Sequence, residues 1–264
     1  MGRSRELEVS GPLRGVFMDK VLKITSVLLI LVLALIIGYT GYTGFVMTSY
    51  QDSLAGTYSY TLSITTDKQL SDVTFFIPVP EDRTGNSMAV TLFSANAMPG
   101  VPESWQTTLF DTGKATLLKI HIPELETPLG TTAQNPYTVT MAATLPADAV
   151  IDTADPGMNS PVFSPMQDYR SVECTGSGAG SGGSPECAAF ATPLYADYTA
   201  DPNAAVTITS SWSGRNSWTV FEPRSNEYMT TISLLMHGEN HGWTTAKGTI
   251  ASRIGSYEYP FHLT

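Results

Sequence analysis

The chain has 264 residues, 42% of them hydrophobic and only 14% charged, with a formal net charge of −10. Charged content well below the roughly 25% of ordinary soluble domains excludes a helix-rich protein laced with salt bridges, and the acidic balance excludes a nucleic-acid binder, which needs a basic face. Two cysteines exclude a disulfide-dense mini-scaffold and a four-cysteine zinc site.

Residues 1–23 read as a short cytoplasmic tail carrying Arg3, Arg5, Arg14, Lys20 and Lys23. Ile24 to Val46 follows, 23 residues without a charge. About 20 such residues span a bilayer core as a helix. No Lys or Arg occurs between Ile24 and Asp67, so the positive-inside rule places the N-terminus in the cytoplasm and the remainder outside. Tyr39, Tyr42 and Tyr50 fall where aromatic rings favour the outer interface. The run ends in Gly38-Tyr39-Thr40-Gly41-Tyr42-Thr43-Gly44, a poor signal-peptidase site, so an uncleaved signal anchor is expected. Met18-Asp19-Lys20 offers an alternative start for that segment. Gly38, Gly41 and Gly44 repeat every third residue rather than every fourth, which reads as a flexible exit more than a dimer face. Residues 47–56 are expected to be a linker.

The bilayer is therefore one expected partner, through Ile24 to Val46. Splitting the charge supports the division: residues 1–23 carry five basic and three acidic groups, and residues 24–264 carry nine basic and 21 acidic, +2 against −12.

Residues 57–264 read as an all-β domain. Thr57 to Thr66 alternates Tyr58, Tyr60, Leu62 and Ile64 against Ser and Thr, the period of a half-buried strand. Val73 to Val79 is more uniformly apolar, as a strand buried on both faces would be, and Met88 to Phe93 is a further predicted strand. Trp105 to Phe110 and Thr116 to Ile122 flank Asp111-Thr112-Gly113-Lys114, a hairpin with Gly113 free to take a positive φ. Tyr137 to Leu145, Ala205 to Trp212 and Trp218 to Phe221 alternate similarly. Tyr228 to Met236 and Trp243 to Ser252 form the last predicted hairpin, joined by His237 to Gly242. About nine short strands between Gly, Pro and Asp turns predict an extracellular antiparallel β-sandwich of Ig-like style.

Seven prolines between Pro123 and Pro165, and little periodicity from Pro146 to Ala204, predict an irregular excursion over about 146–204. Cys174 and Cys187 bracket a Gly/Ser-rich segment on the outer side, where disulfides persist, and are expected to close it. The bridge is worth up to roughly 3 kcal/mol on loop entropy. Gly178 to Gly183 matches G-x-G-x-x-G, but no alternating strand precedes it and Pro185 follows, so no dinucleotide cofactor is expected.

Two groups have ligand-like chemistry. His237, Glu239 and His241 form H-x-E-x-H, two imidazoles and a carboxylate suited to zinc or copper, in what otherwise reads as a solvent-facing turn. Asp148, Asp152 and Asp155 lie in a proline-bounded loop with Gly157, oxygen donors of the kind calcium takes, though without EF-hand spacing. His121 and His262 have no evident link to either group. No nucleophile elbow or H-E-x-x-H is present, so no catalytic residue is assigned. Trp105, Trp212, Trp218 and Trp243 offer aromatic surface for glycan stacking or protein contact if exposed; Trp212 and Trp218 flank a turn-like Gly214-Arg215-Asn216, which points to one of them. No N-x-[ST] acceptor occurs.

The reading that follows is a single-pass cell-envelope protein. Its outer domain works by binding or structural contact with a protein or glycan, without enzymatic activity, cofactor or nucleic-acid partner. A pilin-like subunit, with Arg14-Gly15 before Val16 as a processing site, and an outer metal-binding or hydrolytic domain are the alternatives. Asp19, Lys20 and Lys23 count against the first, since unpaired charges are costly in a packed helical core.

Overall fold

The computed structural model describes residues 13–85, 87–94, 100–113, 115–174 and 184–257. The chain divides into two units, one ending at Gln51 and one running from Asp52 to Tyr259.

The described residues of the first unit form a single helix, α1 (Leu13–Ser53), running on by two residues past the division. Its Lys20–Ser53 portion is long and apolar enough to cross a membrane, with a mean hydropathy of 2.7 in its most apolar stretch. Threonines inside it bond back to the helix backbone: Thr25 Oγ1 donates to the Val21 carbonyl and Thr40 Oγ1 to that of Ile36, each at 2.9 Å. The helix runs to Ser53 and the first strand starts at Ala55, so the expected linker at 47–56 is helix followed by strand, with Leu54 alone between them. Helical hydrogen bonding continues past the apolar run because Gly41 and Gly44 are tolerated where no proline intervenes.

The second unit is mostly strand. In chain order come β1 (Ala55–Thr66), β2 (Leu70–Pro78), β3 (Pro80–Glu81), α2 (Ala89–Ser94), β4 (Gln106–Asp111), β5 (Thr116–Leu125) and β6 (Tyr137–Ala147). Then follow α3 (Pro156–Asn159), β7 (Val162–Phe163), β8 (Gln167–Val172), β9 (Glu186–Ala200), β10 (Ala205–Thr219), β11 (Pro223–His237) and β12 (Asn240–Gly255). Ten of the strands form one antiparallel sheet in the order β4-β5-β2-β9-β12-β11-β10-β1-β6, with β8 also paired to β9; β3 and β7 pair separately. The hydrogen-bonded path is continuous where two facing sheets were expected.

The sheet curls, because every strand of the path except the edge strand β4 contributes alternate apolar residues to one core. Tyr60, Leu62 and Ile64 of β1, Phe75 and Ile77 of β2, Leu194 and Tyr198 of β9, Trp212 of β10 and Ile232 of β11 are all buried in it. Leu109 of β4 packs against its margin. The short helix α2 contacts both β4 and β6, the two ends of the path. A flat sheet would hold those ends several strands apart.

The segment between β6 and β8 is tied to the sheet by a buried polar network. Asn216 accepts from the Ile151 amide at 2.9 Å and donates back to the Ile151 carbonyl at 2.8 Å. Tyr228 OH donates to the Pro161 carbonyl at 2.6 Å and accepts from Trp212 Nε1 at 2.9 Å. Buried polar groups satisfied in this way fix one arrangement, since leaving any of them unpaired costs about 1–3 kcal/mol.

Several expectations are corrected here. Met88 to Phe93 gives α2 rather than a strand, a six-residue apolar pattern being too short to separate the two periods. Residues 146–204 are less irregular than expected, because β9 fills 15 of them at the middle of the sheet. β10 continues without a break through Gly214-Arg215-Asn216 and absorbs the separate strand expected at Trp218. Gly214 is there for space, not for a turn. A Cβ on it would lie 2.5 Å from Tyr228 Cε1 and 3.0 Å from Tyr58 Cε1. β2 alternates, with Phe75 and Ile77 inward and Thr74 and Phe76 outward and only half-buried.

Candidate functional site

The five strands β4-β5-β2-β9-β12 carry two cross-strand rows of side chains on the face away from the core. Residues directly opposite one another on adjacent strands are neighbours about 4.5–5.5 Å apart at Cβ, so register alone assembles each row. The first row runs through Thr108, Lys119, Phe76, Tyr195 and Trp243. The second runs parallel to it, two residues along each strand, through Gln106, His121, Thr74, Asp197 and His241.

The first row is an edge-to-face aromatic chain. Trp243 meets Tyr195 with ring centroids 5.4 Å apart, Tyr195 meets Phe76 at 5.4 Å, and Phe76 meets Phe110 of β4 at 5.6 Å. The interplanar angles of 71°, 81° and 71° are the T-shaped geometry that the ring quadrupoles favour. Lys119 Nζ stands 5.8 Å from the Phe76 centroid, a cation–π distance. The two ends of the chain are open: Trp243 is 60% and Phe110 51% exposed. Aromatic area grouped in this way is unusual on a surface that touches only water.

The second row is polar and internally bonded. His241 Nδ1 lies 2.7 Å from Asp197 Oδ1, and Tyr195 OH donates to Asp197 Oδ2 at 3.2 Å, so both carboxylate oxygens are used. Thr74 Oγ1 and His121 Nδ1 are 3.2 Å apart. The hydrogen bond to Asp197 holds the His241 imidazole above its ordinary pKa against a smaller opposing desolvation, with Glu239 adding to the rise. The same bond draws the Asp197 carboxyl below its ordinary range. Desolvation and the bond to Asp197 push the Tyr195 phenol up.

The sequence-derived metal candidates fare differently. His237 ends β11, Glu239 sits in the turn and His241 lies on β12, so the H-x-E-x-H motif straddles a hairpin. Only His241 and Glu239 are brought near each other, at 3.9 Å, and the closer partner of His241 is Asp197, which no sequence motif linked to it. Asp152 closes an Asx turn ahead of α3. It accepts from the amides of Ala154 and Asp155 at 3.2 and 3.0 Å and from Asn159 Nδ2 at 2.9 Å. Partial desolvation opposes these bonds, but together with nearby Arg253 they hold its carboxyl below the ordinary range. Asp155 is exposed beside it. Among the described residues no group of three or more His, Cys, Asp or Glu is placed to hold a metal ion.

Cys174 and Cys187 are joined, with Cα atoms 5.2 Å apart. They border a cleft of about 730 Å3 between α3, β8, β9 and β12. Arg253 in that cleft is paired with Glu186 at 3.0 Å, and no nucleophile–base pair converges there among the described residues.

The tryptophan expected at the surface is corrected. Trp105, Trp212 and Trp218 are all buried, because each lies on an inward or covered position. The exposed one is Trp243. Its parity with Thr245, Lys247 and Thr249 in β12 was the available signal. Phe76, Tyr195 and Asp197 were missed because their grouping depends on β9 lying between β2 and β12, an order that the chain sequence does not follow. Compared with known proteins, the chain matches no family model, no curated protein and no solved structure.

Proposed function

We propose that this chain is a single-pass protein of the cell envelope, N-terminus in the cytoplasm, whose outer β domain works by contact rather than by catalysis. The aromatic row Phe110-Phe76-Tyr195-Trp243 carries the reading, because it is grouped, outward-facing and open at both ends. The helix Lys20–Ser53 supports an anchor, the excess of Lys and Arg before residue 24 supports its orientation, and the cysteine pair suits an oxidising side. In this reading the two halves of the curled sheet face each other much as the layers of an Ig-like sandwich do. The many acidic groups of the domain disfavour nucleic acid as a partner.

Three measurements test it. Alkaline extraction of native membranes should leave the full chain in the pellet, and protease added to intact cells should remove the β domain while sparing the N-terminal tail. Release into the supernatant, or protection of the β domain, would overturn the placement. The contact role predicts that Trp243→Ala reduces what co-purifies with the chain from those membranes.

A further inference from the structure

We infer that the outward face of β5, β2, β9 and β12 binds a neutral glycan, stacking sugar rings on Trp243, Tyr195 and Phe76 while Asp197, His241 and His121 hydrogen-bond the ring hydroxyls. The inference rests on the contact role proposed above and names its ligand class.

A pyranose ring has an apolar C–H face and an edge of hydroxyls that both donate and accept. A site for it therefore needs aromatic surface and polar groups side by side, repeated along one direction. The two rows supply this: they occupy the same strands, lie two residues apart, and run together across the sheet. With strands about 4.8 Å apart, the four strands give a strip roughly 14 Å long. That length suits a chain molecule lying across the strands more than a single small ligand.

Charge decides between ligand classes. Residues 24–264 carry 21 acidic and nine basic groups, which repels a polyanion. The charges of the two rows are already matched within them: Asp197 to His241 and Tyr195, and Lys119 to the Phe76 ring. A cationic segment of a protein would have to compete with His241 for Asp197. A neutral, hydroxyl-rich partner breaks none of these contacts and can share the outer lone pairs of Asp197 and the Nε2 side of His241.

The test uses the full chain in detergent micelles against insoluble cellulose, chitin, β-1,3-glucan and mannan, with bound protein measured in the pellet. Retention on at least one polymer is expected, with tryptophan emission shifting to the blue. Trp243→Ala should weaken retention about tenfold or more, the size of one lost stacking contact. Asp197→Asn should weaken it less, and Ser63→Ala, on another part of the sheet, should leave it unchanged. Far-UV circular dichroism of each variant checks folding. No retention on any polymer, or retention indifferent to Trp243→Ala, overturns the inference. The co-purification experiment separates the two levels. If Trp243→Ala abolishes co-purification of an envelope protein while no glycan is retained, the contact role stands and the glycan ligand falls. If the substitution alters neither, both fall.

Discussion

The same curled sheet presents two unlike outward surfaces. Across β6, β1, β10 and β11 the outward residues are mostly Ser and Thr, and they bond one another between strands. Thr140 and Ser63 are 3.0 Å apart, Thr138 and Thr65 2.9 Å, Ser211 and Thr231 3.1 Å, and Thr209 and Ser233 3.4 Å. Met229 and Leu235 are the larger exposed apolar residues there. Across β4, β5, β2, β9 and β12 the outward residues also include threonines, but among them stand Phe110, Phe76, Tyr195, Trp243, Lys119, His121, Asp197 and His241, and the aromatic chain ends in open rings. The inner faces of both halves feed one core, so stability does not explain the contrast. Short hydroxyl side chains that pair with neighbours lose little entropy and offer little to a partner, whereas stiff aromatic rings offer large contact area at a similar entropic cost.

The strongest way to break that comparison is to set two tryptophans against each other. Trp212 points inward, stacks on Tyr58 at 5.0 Å and donates to Tyr228. Trp212→Ala should cost about 3–5 kcal/mol in denaturant unfolding, the range for a deleted core aromatic. Trp243→Ala should cost less than about 1 kcal/mol, as surface substitutions do. Equal losses would make the aromatic row a second core rather than a binding face. Phe76 falls between them. It is half-buried and touches Phe110, Tyr195 and Lys119 at once, so Phe76→Ala should cost roughly 1–3 kcal/mol and loosen both neighbours.

How much of this was legible from sequence depends on whether one strand could be read alone. β1 and the β4–β5 hairpin were, since Tyr60, Leu62 and Ile64 alternate with hydroxyls and Gly113 takes a φ of 73° in the predicted turn. The disulfide was legible from spacing and from the outer address expected for it. β9 was hidden by its composition. Ala occurs on both of its faces, and Pro193 is a residue that normally rules out a central strand. The structure accommodates Pro193 because β8 pairs β9 up to Ala191 and β2 pairs it from Tyr195, leaving no partner on that flank opposite the proline. The candidate face required β9, so its polar row was out of reach. His241 and Asp197 are 44 positions apart, and only the β12–β9 register joins them.

On the hydroxyl face a smaller effect is expected. Ser63→Ala and Thr140→Ala should each move stability by less than about 0.5 kcal/mol, with a double-mutant coupling of roughly 0.2–1 kcal/mol from their cross-strand bond. A coupling well above that would mean this face, too, is built for more than solvation.

The smallest effect, and the most specific to the aromatic half, is the titration of His241. Its hydrogen bond to Asp197 raises its pKa above the ordinary 6.5, and the same bond lowers Asp197 below 3.8. The raised imidazole contributes fully below 6.5 and loses its contribution as pH rises through its folded value; the lowered carboxyl contributes fully above 3.8 and loses it as pH falls through its own. The pair is therefore complete between those two ordinary values, and exposure keeps its effect on stability small. Ring-proton NMR of His241 should give a midpoint above 6.5 that Asp197→Asn moves back toward it, with a remainder from Glu239. An unmoved midpoint would dissolve the polar row into unrelated surface residues. A moved midpoint with glycan retention constant between pH 4.5 and 6 and falling above the His241 midpoint would tie the bonded pair to the face it borders.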